Sequence, residues 1–327
     1  MADLLAMADG ECRELWENLS LGYTESAGHP LLRQEIARLY GLQADDVLTF
    51  AGAEEAILAA LSVLLGPGDH ALVTWPGYQS LHEVARATGA EVERIVLREE
   101  EGWSLPDFRL NPNTKLVVVN FPHNPTGSVL SREQFDHLTA LPVRVFFDEV
   151  YRGLEYGPPQ PPACQHSDTA LTLGVMSKAY GLAGLRIGWL ACRDRALLQR
   201  IAAFKDYTTI CSSAPSEILA LIALRNHRQI VTENLAFVQA NLGLVDQFLA
   251  RHADRLRWVR PQAGCIGFPR LLQGDVDAFC QQLVERKSTL LLPGSVYDHP
   301  GNHFRLGYGR TDLAEGLQRL EEFLAGS

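Results

Sequence analysis

No run of apolar residues in this sequence approaches the roughly 20 that a helix needs to cross a bilayer, and the opening stretch MADLLAMADGECREL is acidic where a secretory leader is basic. Neither a membrane partner nor export is expected, and the reading is a soluble, cytoplasmic chain. Basic excess is missing too: 29 Lys and Arg stand against 39 Asp and Glu, a formal charge of −10. With no cationic face to hold a polyanion, no nucleic-acid partner is expected. The six cysteines (Cys12, Cys164, Cys192, Cys211, Cys265 and Cys280) include no C-x-x-C pair. That argues against a zinc ribbon or a redox couple and predicts buried free thiols. Repeats, low-complexity tracts and charge blocks are lacking as well, so arrays and disordered classes fall away. What remains is 327 residues of ordinary globular composition, 46% hydrophobic and 21% charged, enough for one large domain and a smaller one.

Hydrophobic periodicity supplies the order of elements. Pro30–Tyr40 has helical spacing, Pro in its first turn and a stop at Gly41. The pattern then alternates: an apolar run Val47–Phe50, a helical stretch Glu54–Leu65, a run Ala71–Trp75 and a helical stretch Gln79–Thr88. The runs Leu116–Asn120 and Val143–Asp148 are apolar on both parities and end in polar residues, as strands covered on both faces do. Beyond about Arg228 come a long helix (Ile230–His252), short strands near Leu256–Val259 and Thr289–Leu292, and helices around Val276–Arg286 and Asp312–Leu324. The fold class is α/β: a large domain with a mostly parallel sheet flanked by helices, plus a smaller α+β domain. The expected division is an N-terminal segment 1–45 associated with the small domain, a large cofactor-binding domain 46–228 and a small C-terminal domain 229–327.

In open α/β sheets ligands bind beyond the carboxyl ends of strands, and four polar clusters fall at such places. FPHNPTG (Phe121–Gly127) follows the strand LVVVN and leaves Asn124 with a carboxamide that donates and accepts; a plain turn is the alternative. In FFDEVY, Asp148 ends an apolar strand, with Tyr151 three residues on. A carboxylate there is either salt-bridged or set to meet a ligand cation. In GVMSKAYGLAGLRIGW, Lys178 stands between a strand and a glycine-rich segment carrying Arg186. Such a lysine forms an imine with a carbonyl compound if burial or nearby charge depresses its pKa, and otherwise simply meets solvent. In FRLGYG, Arg305 offers a fork for a carboxylate, unless it only stabilises its domain. A lysine for an aldehyde, an acid for a ring nitrogen, polar groups for a phenolic oxygen and an arginine for a carboxylate are the parts that pyridoxal chemistry requires.

With GYTESAGHPLLR, AGAEEAI, WPGY, FPHNPTG, DEVY, SKAYGLAGLRIG and FRLGYG in order between about residues 22 and 310, the chain resembles the class I/II aminotransferases, fold-type-I pyridoxal-phosphate enzymes of the aspartate aminotransferase superfamily. The resemblance implies pyridoxal 5'-phosphate as cofactor and transfer of an amino group between an amino acid and a 2-oxo acid. It implies that Lys178 carries the cofactor as an aldimine and shuttles the proton. By the same likeness Asp148 pairs with the ring nitrogen, while Asn124 and Tyr151 bond the phenolic oxygen. The turn Gly52, Ala53 and Glu54, with Ser177 and Arg186, holds the phosphate, and Tyr78 stacks on the ring. Tyr23 reaches across from a neighbouring subunit, making the site that of a homodimer, and Arg305 with Asn124 holds the substrate carboxylate.

Two departures stand out. Only 21 residues precede Gly22 where relatives carry some tens, so either the chain begins late or the segment that closes over substrate is built differently. Val175 replaces a hydroxyl often found three residues before the lysine, which predicts fewer phosphate contacts. The same residues also serve lyases, cyclases and oxidative enzymes of this fold, and a non-catalytic cofactor-binding regulator is the alternative from another class. No metal is expected: the Pro-Gly interior of HPGNH (His299–His303) forbids the helix that would bring both rings to one face. GLAGLRIG lacks dinucleotide spacing. Glu99–Glu101 reads as a solvated loop, and the hydroxyls of Lys205–Glu217 are placed near substrate.

Overall fold

The computed structural model describes residues 1–326. Helices α1 (Ala2–Ala6), α2 (Gly10–Glu17) and α3 (Pro30–Tyr40) come first. Then follow β1 (Val47–Phe50), α4 (Ala53–Leu64), β2 (His70–Trp75), α5 (Gln79–Ala87), β3 (Glu91–Val96) and β4 (Thr114–Asn120). Next are α6 (Arg132–Thr139), β5 (Arg144–Asp148), α7 (Ala163–His166), β6 (Ala170–Val175), β7 (Gly188–Ala191), α8 (Arg195–Lys205), α9 (Ala214–Arg225) and α10 (His227–Arg251). The C-terminal part holds β8 (Leu256–Arg257), β9 (Ile266–Gly267), β10 (Arg270–Leu271), α11 (Val276–Lys287), β11 (Leu292–Pro293), β12 (Phe304–Gly307) and α12 (Leu313–Ala325). Among the described residues no helix is long and apolar enough to cross a membrane.

Strands β1 to β7 form one sheet in the order β1-β7-β6-β5-β4-β2-β3. Within it β7 runs against both its neighbours, β1 and β6, and the remaining pairings are parallel. Alternation along β4 explains its all-apolar character: Leu116 and Val118 join the core under α4, while Val117 and Val119 join the core under α6 on the other face. Edge strand β3 buries only Ile95, so EVERIV carries no apolar run and escapes the periodicity that marks the inner strands. Helix α3 begins and ends where its sequence predicts, with Pro30 first and Gly41 in the left-handed region at φ 60°. The strand expected over Thr289–Leu292 is displaced to Leu292–Pro293, and that expected over Leu256–Val259 is only two residues long.

Residues 1–45, expected beside the small domain, pack mainly on α9, which lies within 46–228. Their core also takes in Trp189 of β7 and, in the first turns of α10, Val231. Two expectations are corrected. Glu99 is not a solvated loop residue: its side chain is 7% exposed and pairs with Arg257, Arg270 and His303 of the C-terminal part. Partners so distant in sequence leave no local trace. His299 and His303 do meet, with ring centroids 4.8 Å apart, because a loop packed on Trp103 and Phe268 does what a helix was thought necessary for. Among the described residues no group of three or more His, Cys, Asp or Glu side chains is arranged to hold a metal. Of the six free cysteines, Cys211 and Cys265 are only partly buried.

Candidate active site

Parallel pairing brings the first two polar groups level: Asn120 at the end of β4 is the partner of Asp148 at the end of β5. The Asn120 carboxamide donates to the Asp148 carbonyl oxygen at 3.1 Å and accepts from the Asn124 backbone N–H at 2.8 Å. It thereby ties the turn after β4 to the tip of β5. Because β7 reverses direction, the segment between β6 and β7 leaves and returns at this same end of the sheet and delivers Ser177, Lys178 and Arg186 together. Gly52 caps α4 at φ 92°, and a Cβ there would stand 2.5 Å from the Arg186 guanidinium, so only glycine lets that cation lie against the start of the helix. Gly188 approaches from below; its Cβ would fall 2.7 Å from the Gly52 carbonyl carbon.

These groups surround a cavity of about 310 Å³ lined by Ala53, Glu54, Tyr78, Asn124, Asp148 and Tyr151 on one side and Ser177, Lys178, Arg186 and Arg305 on the other. Burial, opposed by a hydrogen bond from the Val150 N–H and by the charge of Lys178, pushes the Asp148 carboxyl up to about 7. Tyr151 is raised well above its ordinary value, again by burial, so its hydroxyl stays protonated. The Lys178 side-chain nitrogen lies 5.3 Å from the centre of the Tyr151 ring, and the residue is exposed. Arg305 donates to the Asn124 side-chain oxygen at 3.3 Å from across the cavity.

Nearly all of the residues singled out in the sequence converge here; Gly52 supports the cavity from behind, and Tyr23 lies apart. Tyr23 is 88% exposed in the loop before α3, outside the cavity and not packed on its own chain. Sequence reasoning missed Asn120, Ile57 and Val150, which also line the cavity; the polar end of LVVVN was the available signal for the first. The hydroxyls of Thr208 and Thr209, placed near substrate by the sequence, instead donate to Glu55 in the first turn of α4. Behind them Lys205 is fully buried, donates to the Ser26 carbonyl and lies between Glu55 and Glu217.

The charges test what the site can hold. No carboxylate of the described residues lies within ion-pair distance of Lys178, Arg186 or Arg305, and no cation pairs with Asp148. Three cations and a buried acid without an ion-pair partner among the described residues fit a molecule with an aldehyde, a basic ring nitrogen and a phosphate, next to a carboxylate-bearing substrate.

Comparison with known proteins agrees. Residues 13–320 match the family described as aminotransferase class I and II, and the chain belongs to that family. It is 33% identical to capreomycidine synthase of Streptomyces vinaceus over 290 residues, covering 85% of this chain and 74% of that one. Tyrosine aminotransferase of Bos taurus is 29% identical over 341 residues, covering 92% and 74%. A pyridoxal-phosphate-dependent aminotransferase from Streptococcus suis 89-1591 superposes with a TM-score of 0.92 at 29% identity, covering 99% of this chain and 90% of that one. The protein is thus a pyridoxal-phosphate-dependent aminotransferase of fold type I.

Proposed function

We propose that the cavity holds the cofactor through Lys178 and that the named residues divide the work of moving an amino group between an amino acid and a 2-oxo acid. The set Asp148, Lys178, Arg186 and Arg305 around one cavity, none of them ion-paired among the described residues, carries this reading. Bound there, pyridoxal phosphate supplies a cationic ring that accepts the electron pair released at the substrate α-carbon. Asp148 holds the proton on the ring nitrogen, and its burial strengthens the pairing. Asn124 and the protonated Tyr151 donate to the phenolic oxygen. Backbone N–H groups of Ala53 and Glu54, the Ser177 hydroxyl and Arg186 take the phosphate at the start of α4. Tyr78 covers the ring face. Arg305, steadied by Asn124, holds the substrate carboxylate, and the Lys178 amine, freed by substrate, moves the proton from the α-carbon.

This reading assigns residues 46–228 to cofactor binding and 229–327 to the smaller, Arg305-bearing part. It places Tyr23 of each chain in the site of the other within a cytoplasmic homodimer. Borohydride reduction followed by peptide mass analysis tests it: a reduced pyridoxyl group on Lys178 is expected, and its absence from folded, cofactor-supplemented protein overturns it. A second reading, in which the same residues serve a lyase, cyclase or oxidative outcome, is supported by the likeness to capreomycidine synthase. Pyridoxamine phosphate formed on mixing with amino acids favours the first; ammonia or a cyclised product without it favours the second.

A further inference from the structure

The cavity contains one acid more than the cofactor uses. Asp148 answers the ring nitrogen, but Glu54, second residue of α4, also lines the space, beside Lys178 and Arg186. Its backbone N–H is among those a phosphate meets at the start of that helix, while its carboxylate is an anion at the same place. The side chain is not free: the Tyr78 hydroxyl donates a hydrogen bond to its Oε1. Local backbone sets Tyr78 up for this. A Cβ at Gly77 would stand 2.6 Å from the Thr74 carbonyl oxygen, so the chain turns tightly there and delivers Tyr78 at the first residue before α5. Glu54 belongs to no ion pair with any cation of the cavity among the described residues, although Arg186 and Lys178 share the space with it.

We propose that the Tyr78 hydroxyl is a latch that holds the Glu54 carboxylate away from the phosphate position and from Arg186, giving Tyr78 a positioning role separate from its ring face. Released, the carboxylate repels the phosphate and competes for the guanidinium the phosphate needs; both effects weaken the cofactor through its phosphate alone. The inference rests on the reading that the phosphate binds at the start of α4.

Titration of the full chain, freed of cofactor, with pyridoxal phosphate and with pyridoxal tests it, dissociation constants being read from quenching of intrinsic fluorescence. Tyr78→Phe keeps the ring and is expected to weaken pyridoxal phosphate about tenfold while leaving pyridoxal unchanged. Glu54→Gln is expected to bind pyridoxal phosphate at least as tightly as the parent, and adding Tyr78→Phe to it is expected to have no further effect. Equal weakening by Tyr78→Phe with and without Glu54→Gln overturns the latch, as does equal weakening of the two ligands. So does a Glu54→Gln variant whose only change is a higher KM for cationic amino donors. A parent protein that binds pyridoxal but shows no preference for its phosphate ester overturns the underlying phosphate assignment instead, and the latch with it.

Discussion

At the scale of single residues the site is a problem in placing charge. Asp148 shows the logic. Without cofactor its folded pKa is about 7 against an ordinary 3.8, so between those values the native protein keeps a proton that the unfolded chain has lost. Stability of the cofactor-free protein therefore falls as pH rises through that window and levels off above it. Three pK units set an upper limit of about 4 kcal/mol for this one group. Asp148→Asn is expected to be the more stable of the two at pH 8 and to lose that advantage at pH 4, as denaturant unfolding at both pH values would show. Adding cofactor reverses the order, because the parent then gains a cation for its buried acid and the variant does not. Lys178→Ala is expected to lose at least about a hundredfold in the half-reaction that forms pyridoxamine phosphate, since general acid–base transfer contributes on that order. A stopped-flow trace of that half-reaction with less than a tenfold change would remove Lys178 from the mechanism.

At the scale of elements, what was legible in the sequence and what was not separate along a physical line. Asn124, Asp148, Lys178 and Arg305 are legible because each sits at or beside a strand in a short motif, and an apolar run that ends in a polar residue is visible locally. Lys205, Glu55 and Glu217 are not, since their meaning lies in one another: they come from three helices, and the buried ammonium is only tolerable between the two acids. Glu99 is the same case across the two parts of the chain. Strand β3 is hidden for the opposite reason, being at the edge and dressed in charge. Removing the cation from a buried cluster leaves its acids uncompensated, so Lys205→Met is expected to destabilise the protein by about 3–5 kcal/mol. Chemical denaturation reads this directly, and a loss below about 1 kcal/mol would show that Glu55 and Glu217 are satisfied by Thr208, Thr209 and His29 without the lysine.

At the scale of the whole molecule, the proposed function gives the exposed Tyr23 a place in the site of a partner chain. Its loop is nonetheless well anchored, with the Thr24 hydroxyl on the Ser212 carbonyl at 3.0 Å and the Ser26 hydroxyl on Asp206 at 2.7 Å. An anchored backbone beside an exposed phenol lowers the cost of ordering that loop if a surface arrives from outside. Mixing two impaired homodimers, Tyr23→Ala and Lys178→Ala, under conditions that exchange subunits is expected to restore about a quarter of parental activity. Half of the dimers at random mixing are hybrids, each with one site built wholly from intact residues. If Tyr23 served its own chain, no hybrid site would be whole and activity would stay at the level of the unmixed proteins.

The single reversed strand β7 has a consequence for the pace at which such a site can change. Since the loop from β6 to β7 must come back to the edge it left, Lys178 and Arg186 ride on one closed span whose two feet are pinned in adjacent rungs of the sheet. That span works as a gauge: it sets how far Lys178 stands from Arg186, which the proposed function makes the cofactor's anchor and its phosphate grip. On that reading chemistry at the substrate end can drift with the walls of the cavity, while the spacing of Lys178 and Arg186 follows the sheet beneath them.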